Sequence, residues 1–347
     1  SQRMQQRLAR HPWFDLVAVA GREHGRPLGE IDWRLQHNRP DSLGLISEPI
    51  LDVHSLELPL RLKDLGVTIV FSALPSGPAQ KIEPHLTKSG FVVFSNASAY
   101  RMHPEVPLVV ADVNPEALEK WPGELGRLAC ATNCTLIPVL HPLHIIAKHH
   151  VVKHVKVRSE QALSGAGWTL LFDDEKRKLA IGNEIEGEAQ KLIEEAERIL
   201  HLGAEWDVVC RRVDETEGHI VNVELEVEAN VTIEEINSLL QKNNYSHLSK
   251  LPSAPATPLI VLEEPPTREV HLWGSSHSSN PDPSQDLLAG METCVYVEMV
   301  EGTTIKFKAL SHNTIRGAAG GVVLLAERAI AEGHIPSVDI NPSDVSS

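Results

Sequence analysis

The run GFVVFSNAS, residues 90–98, decides the architecture. Phe91, Val92, Val93 and Phe94 follow one another with no polar residue between them, and the run then closes on Ser95 and Asn96. A strand with one wet face would alternate, so an uninterrupted apolar run of this length predicts a strand covered on both faces. The same texture recurs in DLVAVAG (15–21), VTIVFSALP (67–75) and VPLVVADVN (106–114). Helical stretches are predicted between them at 79–88 and 115–120, and a helix carrying Met4 and Leu8 over residues 1–10. Strands alternating with helices imply an α/β fold with a doubly wound parallel sheet.

Beyond residue 150 the texture changes. VVKHVKVRSEQALSG, WDVVCRRVD, GHIVNVELEVEA and CVYVEMVEGTTIKFKAL are longer and alternate, which suits an antiparallel or mixed sheet covered on one face by helices over 183–201 and 232–242. Residues 265–290, rich in Pro, Ser, Gly and Asp, read as a long loop or crossover. A last helix over 315–333 is expected to return to the first domain.

The chain has 347 residues, 42% hydrophobic and 23% charged, enough for two domains with sizeable cores. Its 47 acidic residues outweigh 32 Lys and Arg, giving a net charge of -15, and no basic run is interleaved with aromatics. A nucleic-acid surface is therefore disfavoured, whereas a small anionic substrate is not, because a few arginines can dominate the field inside a cleft. The four cysteines, Cys130, Cys134, Cys210 and Cys294, are too irregular for a zinc motif and too sparse for a disulfide scaffold. With no secretory h-region and no apolar run of membrane-spanning length, the expectation is a soluble, cytoplasmic protein with no membrane partner.

Four constellations carry chemistry. In LACATNCTLIPVLHPL (128–143), Cys134 sits at the mouth of an apolar helix, where the dipole and unpaired amides would favour a thiolate and could stabilise an oxyanion. Cys130, within the strand-like LACA, reads as core. In CRRVDETEGH (210–219), His219 can serve as a general acid/base and an arginine can clamp a carboxylate, although a turn histidine among solvated arginines gives the same pattern. SEQALSGAG (159–167) leads a strand into small residues that let a ligand approach the backbone, with Gln161 placed to orient a carbonyl or carboxylate; a plain glycine turn is the alternative. SHNTIRGAAGG (311–321) offers Asn313 as a two-sided hydrogen-bonding group, or simply a tightly packed helix start. His141, His144, His149, His150 and His154 lack any recognised zinc spacing and read as a polar helix end running into a strand, so no metal is expected.

Taken in order, HPWFDLVAVAG, FSALPSG, SNASAYRMHPEVPLVVADVNP, NC, QALSGAG, an arginine with GH seven residues on, and SHNTIRGAAGG resemble the aspartate-semialdehyde dehydrogenase family, in particular its archaeal and fungal type, over about residues 1–333. The resemblance implies a Rossmann-like dinucleotide-binding domain of residues 1–133 plus 314–347 and an α+β catalytic and dimerisation domain of 134–313 containing a mixed sheet. It implies NADP-dependent reduction of 4-aspartyl phosphate on the route to lysine, threonine and methionine, by a homodimer or homotetramer. By the same resemblance Cys134 is the nucleophile and forms a thioacyl enzyme, while His219 is the acid/base. Arg212, Gln161, Asn133 and Glu184 bind substrate, and Arg22, Ser72, Ser164, Gly165, Gly167 and Asn313 line the NADP site.

Departures from the family pattern set further expectations. The family's opening strand and Gly-x-x-Gly-x-x-Gly loop are expected to be missing before residue 1. Ala131 and Thr132 stand where Asn-Pro usually precedes Asn-Cys, and Gly187 stands where a phosphate-binding lysine is expected after a glutamate cluster. The acidic turn of RRVDETEGH is expected to raise the His219 pKa. These departures leave open a malonyl-CoA reductase-like paralogue, or a truncated homologue that no longer binds a dinucleotide.

Overall fold

The computed structural model describes residues 2–40, 44–274 and 281–335. Residues 336–347 of the expected first domain and 275–280 of the expected crossover lie outside the described residues.

The first half contains α1 (Gln2–Leu8), the short parallel pair β1 (Ala20–Gly21) and β2 (Leu51–Asp52), α2 (Leu58–Asp64), β3 (Ile69–Ser72), α3 (Ser76–Lys88), β4 (Val92–Ser95) and β5 (Leu128–Cys130). Strands β3, β4 and β5 form a parallel sheet in that order. The apolar run is explained by its two-sided burial. Val93 and Leu128 face one core with Leu140 and Leu143, whereas Val92, Phe94 and Ala129 face a second core with Val322 and Leu325. Each fully buried Leu or Phe contributes ~1.5–3 kcal/mol, so both faces must be covered.

Two expected strands are shorter than the sequence suggests. In 106–114 only Leu108 bridges β5, because Asn114 folds the chain back, its Oδ1 accepting from the Val110 amide and its Nδ2 donating to the Leu108 carbonyl. In 15–21 only Ala20 and Gly21 pair, with β2. The rest of that run faces a groove of about 950 Å³ that separates it from β3, lined by Phe14, Leu16, Ala18, Val67, Ile69 and Phe71 among others.

The second half begins with α4 (Ile137–Ala147), buried from Ile137 through Ile146 and shared by both halves. It continues through β6 (Val152–Gln161), α5 (Trp168–Phe172), α6 (Asp174–Ala180), α7 (Glu188–Leu200), β7 (Glu205–Arg212), β8 (His219–Val227), α8 (Ile233–Gln241), β9 (Leu259–Val261), α9 (Arg268–His271), β10 (Thr293–Glu301) and β11 (Thr304–Ser311). The six strands make one mixed sheet in the order β7-β6-β8-β11-β10-β9. A π-helical turn, Ile315–Ala319, leads into α10 (Gly320–Ala331), which returns to the first half and packs on β4. The doubly wound first half, the mixed second sheet and the returning helix all follow the expected architecture.

The histidine cluster differs from its reading as a polar helix end. His141 and His144 are buried on α4, and His141 packs against Asp112 (Nε2 to Oδ2, 3.3 Å) and Thr293 (Nδ1 to Oγ1, 2.7 Å), beside an Arg316–Asp112 ion pair. Here the polar groups tie α4, β10 and the π turn together inside the core.

Candidate active site

Cys134 lies in the turn between β5 and α4, and its Sγ is 3.4 Å from Nε2 of His219, the first residue of β8. Four strand ends of the mixed sheet converge there. Gln161 ends β6 in register with Arg212 at the end of β7, and His219 pairs with Ser311 at the end of β11. Gly317 closes the far side: a Cβ there would stand 2.6 Å from the Cys134 Cβ, so only glycine lets the π turn pack on the cysteine.

The His219 ring has a defined polarity. Its Nδ1 accepts the Ala162 backbone N–H at 3.1 Å, so the neutral ring carries its proton on Nε2 and points it at Sγ. Burial, together with nearby Arg212, Arg268 and His312, pushes the His219 pKa down to about 3. The expected rise from the acidic turn does not occur, and two of its carboxylates are held by other partners. Asp214 pairs with Arg177, and Glu217 is held by Arg3 (2.7 Å to each oxygen) with His312 at 3.4 Å.

Cys134 also departs from expectation. Burial and the nearby Glu188 push its thiol up to about 11, although Arg101 and Arg212 act in the opposite direction. The helix proper starts only at Ile137, and the neighbouring amides are already committed, Asn133 N to Glu195 Oε2 and Thr135 N to Asn133 Oδ1, both at 2.7 Å. That leaves the amide of Cys134 itself as the candidate oxyanion donor. Cys130 is fully buried in β5 and is pushed further up by burial, consistent with a core residue.

Arg212 is buried, donates from Nη1 to the Ala162 carbonyl at 2.8 Å, and enters no ion pair among the described residues. A buried guanidinium that forms no ion pair can accommodate an incoming anion, which would add a charge-assisted hydrogen bond. Gln161 beside it is buried, and its Nε2 reaches Ser159 Oγ at only 3.5 Å.

Two substrate-side expectations are corrected. Glu184 is turned outward, its side chain 65% exposed and 3.5 Å from Arg211. The glutamate facing the site is Glu188, the first residue of α7, which accepts from Asn133 Nδ2 at 2.7 Å. Asn133 therefore has both ends of its amide engaged within the protein and positions the turn. Gly187 has φ +70, a left-handed conformation that favours glycine, and the nearest lysine along the chain, Lys191, lies 3.9 Å from Glu188.

Sequence reasoning missed Glu195, which joins Thr132 Oγ1 and Asn133 N on one oxygen and Arg101 on the other. The available signal was a charge in the apolar stripe of α7, where Leu192, Glu195, Ala196 and Ile199 are the buried positions.

On the cofactor side, Asn313 donates from Nδ2 to Ser164 Oγ and accepts the Gly218 N–H, both at 2.8 Å. It fixes the 163–167 turn against the strand end that carries His219. Gly165 lies over that ring, where a Cβ would stand 3.1 Å from Nε2, and Gly167 (φ +80) has open space beside it. A side-chain-free surface next to Sγ fits a flat nicotinamide ring, with the Ser164–Gly167 backbone as its floor. Ser72 is buried at the carboxyl end of β3, where doubly wound sheets bind nucleotides. Arg22, just past β1, is exposed and enters no ion pair among the described residues, so it is available to a 2′-phosphate.

The buried rings give a pH prediction. His144 is pushed down to about 4 by burial and the neighbouring His141, and His219 to about 3. Between the ordinary histidine value of ~6.5 and these folded values, the unfolded chain binds protons that the folded chain refuses, so stability falls as pH falls. The contribution is complete above about pH 6.5 and should decline by roughly 3 kcal/mol per ring by pH 4. Chemical denaturation at pH 7.5 and 4.5 measures it, and equal midpoints would refute it.

Comparison with known proteins bears on these groups as a set. Residues 1–121 match the family described as semialdehyde dehydrogenase, NAD binding domain. The chain is 35% identical to the aspartate-semialdehyde dehydrogenase of Archaeoglobus fulgidus, covering 95% of each. It is 29% identical to the malonyl CoA reductase (NADP) of Metallosphaera sedula, covering 94% of this chain and 93% of that one. Its fold is similar to the crystal structure of aspartate semialdehyde dehydrogenase with NADP from Candida albicans, with a TM-score of 0.75, 24% identity and 96% of each chain covered.

Proposed function

The chain belongs to the aspartate-semialdehyde dehydrogenase family, and on that premise we propose that it is an NADP-dependent enzyme that converts 4-aspartyl phosphate into aspartate semialdehyde and phosphate. The observation that carries the reading is Cys134 Sγ 3.4 Å from His219 Nε2, beside a buried arginine with no ion-pair partner among the described residues.

Cys134 attacks the acyl carbon, a C–S bond forms, and the C–O bond to phosphate breaks, the electron pair and the thiol proton both leaving with phosphate as hydrogen phosphate. When bound, NADPH supplies the hydride that reduces the thioacyl carbon. Arg212 holds the substrate carboxylate and Gln161 orients the chain of the substrate. His219 directs its Nε2–H at the Cys134 sulfur and gives the same N–H as a hydrogen bond to the acyl oxygen as charge develops there. This hydrogen-bond pattern favours the acid half of the expected acid/base role, since protonating Nδ1 would set it against the Ala162 N–H. The Ser164–Gly167 backbone and Asn313 line the nicotinamide side, and Arg22 and Ser72 the nucleotide side.

Lys191 beside Glu188 supports an acyl phosphate over a thioester substrate, because the departure that suggested a malonyl-CoA reductase-like paralogue was a missing lysine. A homodimer or homotetramer in the cytoplasm belongs to the same proposal. The free state of all four cysteines accords with a reducing compartment, and among the described residues no helix is long and apolar enough to cross a membrane.

The reading is tested on the substrate anion. Arg212→Leu should raise KM for aspartate semialdehyde about 10- to 100-fold, the cost of a charge-assisted hydrogen-bonding partner, with a smaller change in kcat. An unchanged KM would remove Arg212 from the substrate site.

A further inference from the structure

We infer that Glu195 is a positioning residue for the nucleophile, a buried carboxylate that fixes the turn preceding Cys134 and joins it to the loop that follows β4. Glu195 lies two turns into α7 and is 2% exposed. Its Oε2 accepts Thr132 Oγ1 and Asn133 N, each at 2.7 Å, and its Oε1 accepts Arg101 Nη1 at 3.0 Å. Both residues held by Oε2 immediately precede Cys134. Arg101 in turn donates from Nη2 to the Asn96 carbonyl at 2.7 Å, in the loop that follows β4.

The same helix face grips that loop a second time. Arg198, three residues after Glu195, donates to the carbonyls of Arg101 (2.5 Å), His103 (2.7 Å) and Val106 (2.7 Å). A helix of the second half thus sets the spacing between residues 96–106 and residues 132–133. Glu188, two turns earlier on the same helix, holds the Asn133 side chain at 2.7 Å. The Cys134 backbone is therefore fixed from two carboxylates on one helix, one to the Asn133 amide and one to its side chain.

Only a carboxylate satisfies this set of donors. Arg101 and the Asn133 amide can only donate, and Thr132 is oriented to donate, so all three need acceptor lone pairs. In Glu195→Gln one oxygen becomes an NH2 group and faces either Arg101 or the Asn133 N–H, donor against donor. The turn must then shift, and with it the 3.4 Å separation of Sγ from His219 Nε2.

The inference rests on the proposed nucleophilic role of Cys134, and the test separates the two. Glu195→Gln and Thr132→Val, the latter removing a single donor, are compared with the unaltered protein in kcat, KM, melting temperature and the rate of Cys134 alkylation by iodoacetamide at pH 8. A positioning role predicts that Glu195→Gln lowers kcat about 10- to 100-fold with KM within about threefold, slows alkylation, and that Thr132→Val shows a smaller change in the same direction at unchanged melting temperature. Alkylation reads the thiol without any substrate, so it decides the inference even if aspartate semialdehyde is not turned over. Unchanged alkylation and kcat in a folded Glu195→Gln protein overturn it. If Glu195→Gln does not fold, unchanged alkylation in folded Thr132→Val overturns it equally.

Discussion

Replacing Cys134 with alanine is expected to lower phosphate-dependent turnover of aspartate semialdehyde by about 10⁴-fold or more, because no other group in the site can form the thioacyl bond. Alanine keeps the Cβ against which Gly317 packs, and it adds nothing to a region where a glycine Cβ would already stand 2.6 Å away. The variant should therefore fold normally and bind substrate through Arg212. Steady-state assay with the variant, together with its melting temperature, checks the prediction. Residual activity above about one per cent in a folded variant would exclude a covalent route through Cys134.

His219→Ala should cost about 10²- to 10³-fold in kcat, the usual range for loss of one hydrogen-bond donor to a developing oxyanion, with little effect on substrate KM. The polarity of the ring makes a second, spectroscopic expectation. With Nδ1 accepting from Ala162 and Nε2 directed at Cys134, ¹⁵N spectra should show the Nε2–H tautomer at pH 7. They should show no titration of the ring between pH 8 and 5, because its pKa is pushed down to about 3. A ring that protonates near pH 6.5, or one carrying its proton on Nδ1, would return His219 to the role of a general base. His219→Gln, which keeps an N–H donor at the end of the side chain, should retain more activity than His219→Ala.

The parts of this molecule legible in the sequence are those where chemistry and pattern coincide. The unbroken apolar run at Phe91–Phe94 requires two covered faces, and two cores are found on either side of β4. Arg212 and His219 flank the turn between β7 and β8 of the mixed sheet, while Cys134 follows β5 of the other sheet, and the strand ends bring the two segments together. Positions decided by tertiary direction were not legible. Glu184 and Glu188 are four residues apart, and only the left-handed Gly187 before α7 determines which of them faces the site. The acidic turn before His219 suggested a raised pKa, but Asp214 and Glu217 found partners elsewhere, and burial governs the ring. Glu195 was hidden because a charge at one position of an amphipathic helix looks like an interruption until its three donors are brought together.

The central claim is that a cysteine thioester is made and broken by phosphate. It is tested most directly by the initial rate of NADP reduction by the purified protein with L-aspartate semialdehyde, measured with increasing inorganic phosphate. The account predicts a rate that saturates with phosphate, that is abolished by Cys134→Ala, and in which coenzyme A does not replace phosphate. A rate independent of phosphate, or one supported by coenzyme A instead, would contradict it.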